Sequence, residues 1–342
     1  AYATPYGRKT ATEVGVDAFV TKPFNANELA TKASKMITLP DRSGNTQTEP
    51  LKSSRSARLI SIHSLRGGLG STALATNLAF ALQNLWHEPT LLMDADFAGG
   101  QIDMNLKWPG GLSWSDLLRA SARNILKQTL FDASIKHDTG LHILTAPRDL
   151  TESDRFDPSI VRQCLDLLQQ QYEYIIADLA HDLRNNTCEL LNDSDTILHL
   201  LSPAIVSLQS AKKALDTYAS SGIPDDKVEL ILVDTRPQYR ATASDIESYH
   251  GRSLSAYIPY AAEMTHAIDR GQPFIKAYPS HSISILVENL AFLFSKPEHK
   301  AASQEKSSAV RGMPHFQHTS PGQNGTHQGI AHSLLKRFGL GS

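Results

Sequence analysis

Seven short apolar segments, separated by longer stretches with helical periodicity, set the tightest limit on what this chain can fold into. They are RLISIHS (58–64), PTLLMDA (89–95), GLHILTA (140–146), YEYIIADL (172–179), DTILHLL (195–201), KVELILVD (227–234) and LSAYIP (254–259). Several are nearly continuous apolar runs, as expected of strands buried on both faces of a sheet. Helical patterns lie between them, for example at 71–85, 158–171, 207–220 and 282–294. Strands alternating with helices through short loops predict an α/β fold, a mostly parallel sheet with helices on both faces. Ligands of such sheets bind at the carboxyl ends of the strands.

Composition divides the rest of the chain. Residues 1–38 have a folded pattern, and 39–57, rich in Pro, Gly and Ser, read as a linker. Residues 58–297 hold the α/β pattern. Residues 298–329 carry few aliphatic side chains and are expected to be disordered, and 330–342 recover an apolar pattern. With a net charge of −2 there is no overall electrostatic reason to bind nucleic acid. Cys164 and Cys188 stand in unrelated contexts, which argues against a disulfide framework or a zinc site and fits a reducing, cytoplasmic setting. No apolar run is long enough to span a bilayer and no signal peptide opens the chain. It begins at Ala1 rather than methionine, as a fragment or a processed product does.

The chemistry concentrates after the first strand, in LRGGLGST (65–72). Gly67, Gly68 and Gly70 let the backbone curl and approach an anion closely, and a helix starting near Ser71 offers its free N–H groups and its dipole to phosphate. The Thr72 hydroxyl is placed to ligate Mg²⁺. Yet a P-loop reads G-x-x-x-x-G-K-[ST], and the residue after Gly70 is Ser71, not lysine. Asp94 and Asp96 close a second strand, and Asp178 closes an apolar strand in the Walker B manner, where a carboxylate holds the Mg²⁺ shell. Each aspartate is also a plausible helix cap after a strand. Three such sites in one α/β domain favour a nucleotide.

RGGLGST resembles the deviant Walker A motif K-G-G-x-G-K-[ST] of the MinD/ParA ATPases, and the resemblance continues through LLMDADFAGG, IIADLAHD, ILVDTRP and YIPYAAEMTHAIDRGQPFI. It covers about residues 58–295. The Gly-Gly-x-Gly-Ser-Thr variant resembles the CpaE/TadZ branch, which places and assembles the Tad (Flp) pilus machinery at the inner membrane. GVDAFVTKPFNANELATKASKMI (15–37) resembles the end of a receiver domain, Lys22-Pro23 being its Lys-Pro pair; the earlier receiver strands are absent. The resemblance implies ATP and Mg as ligands, held by the loop Gly67, Gly68, Leu69, Gly70, Ser71 and Thr72 and by Asp94 and Asp178. It implies base-side contacts at Asp234 and at Pro259 in the Ile-Pro turn. It makes Asp96 the switch aspartate near the attacking water and Arg66 the residue that reaches into a partner subunit's site.

Serine cannot replace the lysine's charge, whereas arginine at 66 keeps the trans contact's charge. Slow or absent hydrolysis follows, because phosphoryl transfer depends on positioned positive charge. The expected assembly is a homodimer supported by nucleotide, partnered by Tad/Flp pilus proteins. The alternatives are a cycling ParA/MinD-type ATPase and a nucleotide-free scaffold. The last residues, 330–342, resemble the amphipathic tail of MinD proteins. Ile330, Leu334, Leu335 and Phe338 share one face, with Lys336 and Arg337 opposite, which suits an anionic membrane surface at the inner membrane or cell pole; packing on protein is the other use of such a face. Trp108 and Trp114 read as packing residues, and Arg119, Arg123 and Lys127 as a solvated helical face.

Overall fold

The structure, a computed structural model, describes residues 57–309 except 109, 123–138, 150, 153–155 and 236–242. The chain divides into two compact units, Ala1–Ser53 and Ser54–Ser342, and the described residues belong to the second. The expectations for 1–38, for nearly all of the linker, for Arg123 and Lys127 and for the tail 330–342 lie outside the described residues.

All seven expected strands form: β1 (Arg58–His63), β2 (Thr90–Ala95), β3 (His142–Leu144), β4 (Tyr174–Leu179), β5 (Thr196–Leu201), β6 (Val228–Val233) and β7 (Leu254–Ile258). They make one sheet in the order β3-β2-β4-β1-β5-β6-β7. Every pairing is parallel. The helices that matter below are α1 (Ser71–Trp86), α2 (Ile102–Asn105), α3 (Trp114–Ala122), α4 (Pro158–Leu168), α5 (Asn185–Asp193) and α6 (Ile205–Ser220). They are followed by α7 (Ala243–His250), α8 (Glu263–Arg270), α9 (Phe274–Ala277), α10 (Ser282–Leu293) and α11 (Pro297–Ala309).

The period of two along a strand distributes its apolar side chains between two cores. In β4, Tyr174 and Ile176 join the core under α1 and α10, while Ile175 and Ala177 join the core under α3, α4 and α5. That is why the strands read as continuous apolar runs. α1 is covered nearly all round: ten of its residues from Leu74 to Gln83 are buried. Its Asn77 side chain accepts from the Ile275 amide at 3.0 Å, and Trp86 donates to Ser295 Oγ at 2.6 Å. The helix that carries the glycine loop is therefore a fixed part of the core.

One expectation is corrected. The segment from 298 was expected to be disordered, but Pro297–Ala309 is helical. Its first turn has anchors that composition does not show. His299 Nδ1 lies 2.7 Å from the Tyr174 hydroxyl, and the His299 ring rests 5.2 Å from the Trp86 ring. Just before it, Lys296 pairs with Glu173.

Candidate functional site

β1 sits at the centre of the sheet between β4 and β5, so the loop from Ser64 to Gly70 opens at the carboxyl edge beside the chain's reversal of strand order. Gly68 and Gly70 hold φ of 78° and 85°, the left-handed region in which a Cβ is strained. Gly70 caps α1 without any side-chain hydrogen bond. The first-turn amides of α1 are thus left to whatever anion the loop receives. Leu69 is buried in the core and pins the middle of the loop down, so its contribution to a ligand is its backbone. Arg66 is exposed and forms no ion pair among the described residues.

Ser71 does not face outward. It is 3% exposed, and its Oγ lies 3.2 Å from Ser64 Oγ. Ser64 Oγ donates to the Arg66 carbonyl at 2.9 Å. A side chain from the loop after β4 closes this cluster: His181 Nδ1 lies 3.0 Å from the Ser64 carbonyl and 3.1 Å from its Oγ.

The acids lie on the adjoining strands. β2 and β4 run in register with Asp94 opposite Asp178, so both carboxylates occupy the same face. Both are buried, at 0% and 3% exposure. Burial first, then the neighbouring Asp178, pushes the Asp94 carboxyl well above its usual range. Burial likewise pushes Asp178 up to about 7, against a hydrogen bond with Thr72 that lowers it. Asp94 Oδ2 accepts from the Ile102 amide at 3.1 Å, so it does serve α2 as a remote cap, and Trp114 Nε1 donates to its carbonyl at 2.8 Å. Gly100 is what lets Asp94 lie there, since a Cβ on Gly100 would fall 2.3 Å from Asp94 Oδ1 and 2.5 Å from Ala146 Cβ. Asp96 bonds the amides of Ala98 at 3.3 Å and Gly99 at 2.9 Å.

Two buried carboxylates without a Lys or Arg partner among the described residues, beside the Thr72 hydroxyl, are a donor set that fits a divalent cation. Among the described residues no group of three or more His, Cys, Asp or Glu could hold a metal unaided. A Mg²⁺ ion here would therefore complete its shell with water and phosphate oxygens.

Beneath the loop lies a network that sequence reading missed. His63 Nδ1 meets the Tyr218 hydroxyl in a short bond, the same hydroxyl lies 2.9 Å from His199 Nδ1, and His63 Nε2 lies 2.9 Å from the Asp182 carbonyl. The carbonyl can only accept, so His63 carries its hydrogen on Nε2 and accepts a hydrogen bond from the Tyr218 hydroxyl at Nδ1; His199 Nδ1–H then donates to the Tyr218 oxygen. Burial lowers His63 to about 4 and lowers His199 as well, which keeps both rings neutral. The network ties β1, β5 and α6 to Asp182, the neighbour of His181. The signal in the sequence was a histidine at the end of the first apolar run and another inside the fifth.

Asp234 and Pro259, the two residues expected on the base side, follow the carboxyl ends of β6 and β7. The Asp234 amide bonds the Ile258 carbonyl at 2.9 Å. The Asp234 carboxylate is occupied: Tyr257 donates to its Oδ2 at 2.5 Å. Trp114 is fully buried, and Arg119 pairs with Asp116 at 2.7 Å, in keeping with packing and solvated roles. Both cysteines are free.

A parallel α/β sheet with a glycine loop between its central strand and a buried helix, flanked by two strand-end acids, is the arrangement of a P-loop fold. The family profile of cellulose biosynthesis protein BcsQ matches residues 57–220. The septum site-determining protein MinD of Thermotoga maritima is 23% identical over 240 residues, 68% of this chain and 86% of the relative. A putative MinD of Guillardia theta is 23% identical over 224 residues, covering 64% and 81%. Among solved structures, a ParA family ATPase from Chlorobium tepidum superposes with a TM-score of 0.64 at 25% identity, covering 70% of this chain and 98% of that one. MinD of Pyrococcus horikoshii, complexed with Mg-ADP, has the same fold, with a TM-score of 0.61 at 21% identity over 70% and 96%. The fold is that of the MinD/ParA-type P-loop ATPases, and the matched segments are similar in sequence to proteins of that type.

Proposed function

We propose that this protein binds Mg-ATP weakly, hydrolyses it slowly or not at all, and uses the bound nucleotide to support a homodimer that localises or assembles a larger machine. The observation that carries this is the pairing of two buried carboxylates, Asp94 and Asp178, and the Thr72 hydroxyl with a Ser71 turned inward onto Ser64. Bound Mg²⁺ would neutralise phosphate charge and orient it. The chain's own part is to present the amides of Gly67 to Thr72, to hold Asp96 beside the opening, and to keep the floor dry with Leu69 and the β1 core.

Arg66 has a role if it reaches the partner's phosphates. Support for a dimer through this edge comes from exposed apolar residues beside the same strand ends: Met104 (70%), Ile205 (72%), Val206 (59%) and Tyr260 (49%). The finer reading is a Tad (Flp) pilus assembly factor of the CpaE/TadZ kind, supported by Gly-Gly-x-Gly-Ser-Thr and by the Lys22-Pro23 segment. The tail 330–342 would add weak contact with an anionic membrane. The second reading, a cycling positioning ATPase, is favoured by the MinD names of the relatives. The third is a scaffold with an empty site.

Equilibrium binding and turnover of Mg-ATP, with sedimentation of the chain and of Arg66→Ala, separate the three. The expected result is binding with turnover at least about tenfold below a lysine-bearing relative, and ATP-dependent dimers that Arg66→Ala weakens. Full ATPase activity selects the second reading; no binding selects the third.

A further inference from the structure

The loop lacks a cation where phosphate charge concentrates, yet one titratable ring is fastened directly to it. His181 is exposed, and its Nδ1 sits 3.0 Å from the Ser64 carbonyl. A carbonyl only accepts, so Nδ1 carries a hydrogen and donates. The opposite edge of the ring lies against the glycine loop: Cδ2 and Nε2 are 3.5 and 3.7 Å from where a Gly67 Cβ would stand. Anchoring through Nδ1 thus leaves Nε2 as the free nitrogen beside the loop. Protonated at both nitrogens, the ring keeps its anchor and offers a charged N–H donor to an anion seated on the Gly67–Thr72 amides.

The neighbouring charges do not cancel this. Asp182 is the nearby carboxylate, but its side chain is engaged with Thr187 Oγ1 at 2.8 Å and the Arg184 amide at 3.1 Å. The adjoining His63 is held neutral by burial. Arg66 is exposed on the other side of Ser64. The ring's position is also not accidental, because the Asp182 carbonyl next to it is held by His63 Nε2.

We propose that His181 is a phosphate-binding residue that supplies, from the loop after β4, the cationic contact that Ser71 cannot. This rests on the nucleotide reading above. The inward turn of Ser71 is part of the same arrangement, since Ser64 Oγ, within 3.2 Å of Ser71 Oγ, is also within 3.1 Å of His181 Nδ1.

The test is the dissociation constant of Mg-ATP for the full chain and for His181→Ala, His181→Asn and His181→Lys, with Ser71→Lys as reference. Because His181 is exposed, none of its substitutions enters the core. Asparagine can keep the anchoring donor but carries no charge; lysine keeps the charge and gives up the ring. The expected result is a loss of about tenfold or more for alanine and asparagine, and recovery to within about threefold of the parent for lysine. Parent-like binding by alanine or by asparagine overturns the proposal, the latter showing that only the anchor matters. If neither the parent nor Ser71→Lys binds Mg-ATP, the nucleotide reading itself fails, and this inference with it.

Discussion

At the carboxyl end of β1 the protein offers mostly backbone: two glycines at positive φ, a helix start without a side-chain cap, and a hydroxyl cluster facing inward. At the carboxyl ends of β6 and β7 it offers side chains, and these are already paired, Tyr257 with Asp234. Backbone donors are in place before a ligand arrives and cost little reorganisation. If Asp234 is to read a base as proposed, its carboxylate must give up or share its phenol, and it can accept from an amino group but cannot donate. Affinity is therefore expected to come from the phosphate end, and selectivity among bases to be poor. The same contrast shows why the loop is recognisable without the P-loop lysine: the difference is one side chain, Ser71, while the frame of the loop belongs to the core.

The largest effect should come from crowding the acid side of the phosphate end. Gly100→Val places atoms within 2.3 Å of Asp94 Oδ1 and 2.5 Å of Ala146. A loss of about 3 kcal/mol or more in denaturant unfolding is expected. A loss below about 1 kcal/mol would mean that Asp94 is not held against this glycine.

A smaller effect, of opposite sign, should follow from Asp178→Asn. The folded carboxyl, at about 7, holds its proton to higher pH than the unfolded one, which titrates near about 4. Without Mg²⁺ the contribution of Asp178 to the parent's stability should be full below about pH 4 and be lost as pH rises from about 4 to 7, while the neutral buried His63 and His199 pull the other way on acidification. Asp178→Asn should flatten much of that fall and be more stable at pH 8 by an amount on the order of 2–4 kcal/mol, while weakening Mg-ATP binding. Asp94 moves in the same direction, so some slope remains. Parallel stability–pH curves for the two proteins would remove the claim that Asp178 is stored in the fold as a burden relieved by a cation.

The base end should respond least. Tyr257→Phe removes the donor to Asp234 and should cost about 1 kcal/mol of stability. The ratio of ATP to GTP affinity should change by more than the ATP affinity itself. An unchanged ratio would place the base away from Asp234.

Strand-level architecture was legible because strands buried on both faces leave a continuous apolar signature, and all seven runs became strands. The place of the glycine loop between β1 and α1, and of Asp94 and Asp178 on adjoining strands, was legible because motif spacing and strand ends are local. His181, Ser64 and Gly100 were not. Their roles depend on which loops meet, and the pairing of Ser64 with His181 joins residues 117 apart. His63, His199 and Tyr218 were hidden for a related reason, each looking like an ordinary member of its own strand or helix. The start of α11 was misread because two aromatic contacts, to Trp86 and Tyr174, outweigh a poor local composition.

The central place of β1 also has a consequence for synthesis. Its two neighbours are β4 and β5, and the register partner of Arg58 is Tyr174, more than a hundred residues downstream. At ordinary ribosomal rates the strand and its glycine loop wait on the order of ten seconds before either edge can be satisfied. During that interval the nascent chain presents an unpaired apolar edge, so demand for chaperones should peak before Tyr174 emerges and fall once β4 has docked.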